Sequence, residues 1–297
     1  MANKVIVKAP AKINLFLDVL NKRDDGYHNV NMVMQSVTLF DTVVISKTEE
    51  RGINLNFPKQ EFLCSNVNIE KNTAFLAANE FFKAAGIDSY GIKITIFKNI
   101  PICAGLAGGS SDAAAVLVGI NNLFNTKLSK IDLYKLGKKI GADVPFCIFG
   151  GTMLAKDTGT SLAPLNHMPF CYMVLCKPSI RVSTKKAYEA CDGTLREAKK
   201  MNNILCAIRK KRLKYLAKCT FNSFEEVLNL RPVKKIKNFM LKNGAMTACM
   251  SGSGPTVYGI FYDKYNAIWC QRALKKWYSD VFLCQPQKFG SKIISIE

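Results

Sequence analysis

The sequence predicts an α+β chain folded as two domains, and three observations predict it. Apolar and polar residues alternate in stretches such as GIKITIFK, where Ile92, Ile94 and Ile96 share one face with the period of a strand. The order at the centre of the chain is strand, glycine loop, helix. Beyond about Lys156 the texture changes and Lys and Arg become frequent, which divides the chain into residues 1–156 and 157–297.

The elements follow in order. The opening KVIVKAPAKINLFLDVL reads as a strand, a break at the proline and a second strand. In that second strand Ile13, Leu15, Leu17 and Val19 alternate with Lys12, Asn14, Phe16 and Asp18, so Lys12 and Asn14 share a face. RDDGYHNV is a turn, because Asp-Gly is strong turn chemistry. Strands are expected over residues 31–40 and 41–46. Asn72 or Thr73 caps a helix that runs to about Ala85, with Gly86 as its stop. GIKITIFK leads into the glycine loop, and a helix is expected from about Ser111 to Asn122. Ser129 with Asp132 opens the next helix, which ends at Gly141. In the second half CYMVLC is a strand, STKKAYEA a capped helix, and EEVLNL and VKKIKNFMLKNG helices, the last stopped by Gly244. AMTACMSGSGPTVYGIFY reads as strand, tight loop, strand. A helix around Ala267 to Tyr278 and the strand SKIISI close the chain.

Composition narrows the functional classes. Hydrophobic residues make up 48% of the chain, enough for a substantial core, which excludes wholesale disorder. Lys and Arg number 42 against 22 Asp and Glu, a net charge of +20. Such an excess invites an anionic partner (nucleic acid, anionic lipid or a phosphorylated small molecule) or forms a solvated lysine-rich surface. The 11 cysteines are scattered singly, and the 2 histidines, His28 and His167, are too dispersed for a Cys/His zinc site. Scattered thiols fit a reducing cytoplasm. The N-terminus has no apolar signal core, and the uncharged stretches 158–176 and 243–262 carry Pro, Gly and polar residues inside. A soluble cytoplasmic protein with no membrane partner is expected.

PICAGLAGGSSDAAAVLVGIN, residues 101–121, places glycines immediately before a helix. It lacks the lysine of Gly-x-x-x-x-Gly-Lys-Ser/Thr and the spacing of Gly-x-Gly-x-x-Gly. The physics of phosphate binding remains. Gly105, Gly108 and Gly109 have no Cβ, so their amides can approach phosphate oxygens, and the helix start near Ser110 or Ser111 points free N–H groups and a positive dipole end at the same spot. Ser110 and Ser111 offer hydroxyls to phosphate or to a phosphate-bound Mg²⁺. A second loop, SGSGP at residues 251–255, is a hairpin turn or another wall of the same site.

PAKINLFLDV, PICAGLAGGSSDAA and MSGSGPTVYGIF occur in the order and spacing of the three motifs of the GHMP kinases, and the chain resembles that family over nearly its whole length. With RDDGYHNV and GADVPFCIFGG in place, it looks specifically like the branch that phosphorylates the 2-hydroxyl of a diphosphocytidyl methylerythritol, a precursor of isoprenoids. The resemblance implies an N-terminal α/β domain carrying the glycine loop and a C-terminal ferredoxin-like domain forming the other lip of a cleft. It also implies ATP and Mg²⁺ as cofactors, a small-molecule substrate and no nucleic acid. Lys12 matches the catalytic lysine and Asp143, in GADVP, the catalytic aspartate. Pro101, Ile102, Cys103, Ala104, Gly105, Leu106, Ala107, Gly108, Gly109, Ser110 and Ser111 match the ATP phosphate loop, with Asn72 and Lys98 on the nucleotide side. Asn14 lies beside Lys12 on the substrate face. Tyr27 and His28 match the pair that recognises cytosine, Tyr188 the slot of an aromatic on the base's other face, and Thr184 lies nearby. Asp112 caps the helix or sits near Mg²⁺.

Two other readings stay open at this point. Mevalonate and homoserine kinases share the three motifs, and Gly-Tyr-His counts against both. A kinase-like nucleic-acid-binding regulator would use the basic run RKKRLKYLAK, and the retention of both Lys12 and Asp143 counts against it.

Overall fold

Two long antiparallel strands, β1 (Lys4–Lys22) and β2 (His28–Lys47), are the backbone of the molecule. The computed structural model describes residues 2–58, 69–192 and 201–297. After β3 (Gly52–Asn56) come helix α1 (Thr73–Ala85), β4 (Gly91–Phe97), α2 (Gly108–Leu123), α3 (Lys130–Ile140) and α4 (Val144–Phe149). Strands β5 (Thr152–Lys156), β6 (Ser161–Pro164) and β7 (Tyr172–Lys177) precede α5 (Thr184–Glu189), α6 (Met201–Arg209) and α7 (Leu213–Lys218). Then follow β8 (Phe221–Asn222), α8 (Ser223–Leu228), α9 (Arg231–Lys242), β9 (Thr247–Met250), β10 (Val257–Phe261), α10 (Lys264–Leu274), β11 (Asp280–Cys284) and β12 (Lys292–Ile296).

The first sheet runs β12-β1-β2-β4-β3, with β5 on β2, β6 on β5 and the short β8 beside β1. The second is β11-β7-β10-β9, antiparallel throughout. Both sets of alternate residues of β1 are buried from Ala9 to Val19, because both of its faces are covered. Val5, Val7 and Ala9 belong to the core under α1 and α2. Ala11, Ile13 and Leu15 join a second core that includes Met173, Leu175, Tyr258 and Ile260 of the other sheet. Helix α2 is lined with Ala113, Ala114 and Ala115, and at Gly119 a Cβ would crowd Ile45 and Val7, so small residues let the helix lie close on the strands.

Four expectations are corrected. Pro10 does not break the first strand. The register shifts between Pro10 and Lys12, and the displaced Lys12 amide donates to the Leu106 carbonyl (3.1 Å), so the proline sits at a bulge. Residues 31–40 and 41–46 are not two strands but parts of the one strand β2, within which Asp41 is buried and accepts from the amides of Asn99 and Ile100. Helix α2 begins at Gly108 and not near Ser111, after Ala107 in the left-handed region (φ 57°). The helix expected up to Tyr278 stops at Leu274.

A division at 156/157 does not follow the sheets. β6 pairs with β5 in the first sheet, and β12 returns from the far end of the chain to pair with β1. We therefore propose that the boundary lies between Pro164 and Tyr172, with β12 counted in the N-terminal unit.

The local chemistry at helix ends is as the residues suggest. The Asn72 side chain accepts from the Ala74 amide and Gly86 closes α1 at φ 63°. Ser129 and Asp132 form a reciprocal capping box on α3, and Ser183 caps α5. The basic run at residues 209–218 spans the end of α6, a left-handed Lys211 and α7, whose Leu216 and Ala217 are buried. The earlier part of the basic stretch, residues 196–200, lies outside the described residues.

Gly105 tests how tightly the two glycine loops meet. Its φ is 73°, and a Cβ there would overlap the Ser251 carbonyl. Gly26, at φ 83°, has open space around it. Gly105→Ala is expected to cost about 2 kcal/mol or more in urea unfolding and Gly26→Ala about 1 kcal/mol. Equal losses would show that the loops are not in steric contact.

Candidate active site

A cleft of about 850 Å³ lies between the glycine loop, the β1–β2 hairpin, α5 and the loop after β9. It is lined by Lys12, Tyr27, His28, Asn72, Lys98, Asp143, Thr184 and Tyr188, by Pro101 to Gly105, and by Ala107, Gly108, Gly109 and Ser110. The loop Gly252–Gly254 forms part of its wall.

At one end the phosphate loop is built around left-handed residues, Cys103 (φ 52°), Gly105 (φ 73°) and Ala107 (φ 57°). Ala107 sits at the N-cap of α2 and supplies no side-chain cap. The loop is held through its oxygens. The Leu106 carbonyl accepts from the Lys12 amide, Ala104 from the Thr256 amide (3.3 Å), Gly105 from the Ser251 hydroxyl (2.9 Å) and Gly109 from Thr73 Oγ1 (2.8 Å). The amides at the start of α2 therefore remain available to an anion, in line with the positive end of the helix dipole.

Lys12 and Asp143 meet in the wall of the cleft. Lys12 Nζ lies 3.4 Å from Asp143 Oδ2 and donates to Asn14 Oδ1 (2.7 Å). The lysine is 4% exposed, whereas the aspartate side chain keeps 30% of its surface open. Asp143 stands at the N-cap of α4 without capping it, so its carboxylate is free to face a ligand.

Lys98 and Asp112 form a buried triad with Asp41. Lys98 Nζ is 2.5 Å from both Asp41 Oδ2 and Asp112 Oδ2. Burial alone would lower the lysine's pKa, and the two carboxylates outweigh it and raise the value. Asp112 is pushed up to about 8, first by burial and then by the Asp41 charge, with Lys98 opposing. Its Oδ1 is buried and has no hydrogen-bond partner. Asp112 lies inside α2 and does not cap it.

The opposite end is aromatic. The His28 ring stacks on Tyr188 (centroids 5.0 Å apart, 26° between planes), and Tyr188 meets Phe224 edge-on at 4.9 Å. Tyr27, in the hairpin turn, is 67% exposed at the rim. Thr184 Oγ1 and Ser253 Oγ lie 2.9 Å apart and join α5 to the second glycine loop.

Three of the expected site residues lie elsewhere. Asn14 is fully buried and holds Lys12 in place from behind. Leu106 is packed in the core between the sheets. Ser111 is buried with its hydroxyl donating to the Pro10 carbonyl, so it offers no hydroxyl to a ligand. Lys98 reaches the cleft, but its ammonium is already shared by two carboxylates. Sequence reasoning missed Asp192, which bonds His28 and Lys22, and Asp41. Neither belongs to a motif, and the only signal for Asp41 is an acidic residue in an otherwise strand-like run.

Two family models match the chain: the GHMP kinases N-terminal domain over residues 72–151 and the GHMP kinases C-terminal domain over residues 187–280. The chain belongs to the GHMP kinases. A 4-diphosphocytidyl-2-C-methyl-D-erythritol kinase of Caldicellulosiruptor saccharolyticus is 42% identical over 97% of this chain and all of that protein, and one from Clostridioides difficile is 38% identical over 97% of both. A solved 4-(cytidine 5'-diphospho)-2C-methyl-D-erythritol kinase superposes with a TM-score of 0.80 at 30% identity, covering 95% of this chain and 98% of that one. A homoserine kinase from Cytophaga hutchinsonii superposes equally well (TM-score 0.81) at 20% identity, a likeness of fold.

Two tests follow from this geometry. Because Asp112 binds its proton more tightly when folded than when unfolded, its contribution makes stability fall as pH rises from about 4 to about 8 and leaves it flat above. Thermal unfolding of Asp112→Asn across that range is expected to lack this part of the slope, and an unchanged slope would remove Asp112 as its source. Cys103, exposed in the phosphate loop, is expected to react with iodoacetamide well before Cys171, Cys176 and Cys284, whose thiols burial pushes up to about 12. ATP should slow its labelling in peptide maps.

Proposed function

We propose that this protein transfers the γ-phosphoryl group of ATP to the 2-hydroxyl of 4-diphosphocytidyl-2-C-methyl-D-erythritol, a step of the non-mevalonate route to isoprenoid precursors. The observation that carries the reading is the 3.4 Å pairing of Lys12 and Asp143 in a cleft with an uncapped helix N-terminus at one end and the His28–Tyr188 stack at the other. The names of the relatives agree with it.

An alcohol titrates near 16 and a free carboxylic acid near 4, so complete proton removal by a carboxylate before attack would cost about 16 kcal/mol. Asp143 therefore orients the hydroxyl and takes its proton late, as the oxygen bonds to the γ-phosphorus and the bridging oxygen leaves with ADP. Lys12 stabilises the negative character that grows on the attacking oxygen. The amides of Gly108 and Gly109 face the phosphates. Tyr27, His28 and Tyr188 hold the cytosine, and Thr184 borders the same pocket.

Among the described residues no cluster of three or more His, Cys, Asp or Glu is arranged to hold a metal. Mg²⁺ in nucleotide sites commonly uses one or two carboxylates plus the phosphates themselves, and the unpartnered Oδ1 of Asp112 at the phosphate loop fits that pattern. Asp112 and the Ser110 hydroxyl would hold the ion, which would neutralise charge on the β- and γ-phosphates. No helix among the described residues is long and apolar enough to cross a membrane. The free thiols of Cys103, Cys147, Cys171, Cys176, Cys206, Cys219, Cys249, Cys270 and Cys284 support a reducing cytoplasm as the setting.

Incubation with ATP, Mg²⁺ and the diphosphocytidyl substrate should release ADP, and a panel including mevalonate and homoserine should not. Lys12→Ala and Asp143→Ala should each lower kcat by two orders of magnitude or more with ATP affinity nearly unchanged. Near-normal turnover in purified Asp143→Ala would remove that residue from the mechanism.

A further inference from the structure

Asp192 lies just past α5 and lines the cleft against the β1–β2 hairpin. Lys22 and His28 are directly opposite one another in that hairpin, and both reach across to the same carboxylate. Asp192 Oδ1 is 2.6 Å from His28 Nε2, and its Oδ2 accepts from Lys22 Nζ at 2.7 Å. The lysine first, and then the histidine, hold the Asp192 carboxyl below its ordinary range. An ionised carboxylate only accepts hydrogen bonds, so the hydrogen in the His28 contact belongs to Nε2. A neutral ring with its proton there leaves Nδ1 as an acceptor. The ring has no freedom to reverse this by turning over, because it is stacked on Tyr188, which is in turn braced by the buried Phe224. Nδ1 has no partner among the described residues, and His28 lines the cleft.

We propose that Asp192 is a positioning residue that locks His28 in the Nε2–H tautomer, and that the acceptor thereby presented at Nδ1 selects a cytosine base over uracil. The two bases differ at one edge: cytosine carries an exocyclic amine, a donor, where uracil carries a carbonyl, an acceptor. An acceptor on the protein placed at that position pairs with cytosine's amine and meets only a carbonyl oxygen, another acceptor, in uracil. Sites that hydrogen-bond their substrate reject the analogue lacking the matching group far more strongly than apolar pockets do. This inference deepens the cytidyl reading above and rests on it.

The test uses the full-length enzyme, ATP and two acceptors, the diphosphocytidyl substrate and its diphosphouridyl counterpart. The native enzyme should turn over the cytidyl compound with a marked preference. In Asp192→Asn the amide can donate to Nε2 and allow the Nδ1–H tautomer. KM for the cytidyl substrate should then rise about 10- to 100-fold, the worth of a charge-assisted hydrogen bond, with kcat and the KM for ATP little changed, and the preference over the uridyl compound should narrow by a similar factor. Asp192→Glu should restore part of the preference. An Asp192→Asn enzyme with unaltered discrimination overturns the proposal. No turnover of the cytidyl compound by the native enzyme sinks the parent reading instead. The imidazole ¹⁵N shifts of His28 in the native protein decide independently of any variant: the Nε2–H tautomer with an unprotonated Nδ1 is expected, and a protonated Nδ1 overturns the proposal.

Discussion

The cleft depends on one constraint: the first turn of α2 must be rigid and yet uncapped. The usual way to fix a helix start is a Ser, Thr, Asp or Asn whose side chain occupies the leading amides. Ala107 occupies that position and cannot do so. Rigidity comes through the loop's carbonyls, which receive the Lys12 and Thr256 amides and the Ser251 and Thr73 hydroxyls. Holding a loop by its acceptors leaves its donors for the ligand. The arrangement requires β1, α1 and the second glycine loop to be in contact with the first loop at once. The Ser251 hydroxyl lies between the Gly105 carbonyl and the Asn14 amide, and Gly252, in the left-handed region at φ 56°, packs closely against Gly105, where a Cβ would come within 3.0 Å of its carbonyl oxygen.

How much of this was legible in the sequence depended on the range of the interaction. The caps of α1, α3 and α5 are local and were readable from Asn72, Ser129 and Ser183 with their followers. The glycine loop was readable because a strand, glycines without Cβ and a helical run are adjacent in the chain. The roles of Ser251, Asp41 and Asp192 were not, since their partners lie 146, 57 and 164 residues away. Leu106 and Ser111 sit in the loop by position, yet face the core, and only the bulge at Pro10 explains why: it brings the first strand's backbone against them. Pro10 itself misleads, because a proline at a bulge and a proline that ends a strand look the same in one sequence.

Lys12 was expected as the catalytic lysine and Lys98 on the nucleotide side, and the structure separates the two further by the company they keep. Lys98 is shared between two buried carboxylates, an arrangement in which removing either acid leaves a buried charge poorly compensated, at a typical cost of about 3–5 kcal/mol. It binds β2, β4 and α2 together behind the phosphate loop. Lys12 faces one partly open carboxylate and a neutral amide, so its charge is less fully answered and can respond to an oxygen that becomes negative.

The charge of the whole chain and that of the cleft are different matters. Among the described residues lining the cleft, Lys12, Lys22, Lys98 and Lys185 stand against the acidic side chains Asp112, Asp143, Glu189 and Asp192, and with Asp112 holding its proton up to about pH 8 the cleft carries only a small part of the net charge. Most of the surplus of +20 therefore lies elsewhere on the chain. Two polyanionic substrates must still enter. The surface field acts at a distance and within about one Debye length, raising the rate of encounter. Inside a nearly balanced pocket the attraction has to come from dipoles, namely the free amides at the start of α2. A floor of neutral ion pairs has a further consequence: no unpaired lysine competes for the phosphates. Direction then comes from the free amides at the start of α2 and from Lys12, both of which border the cleft.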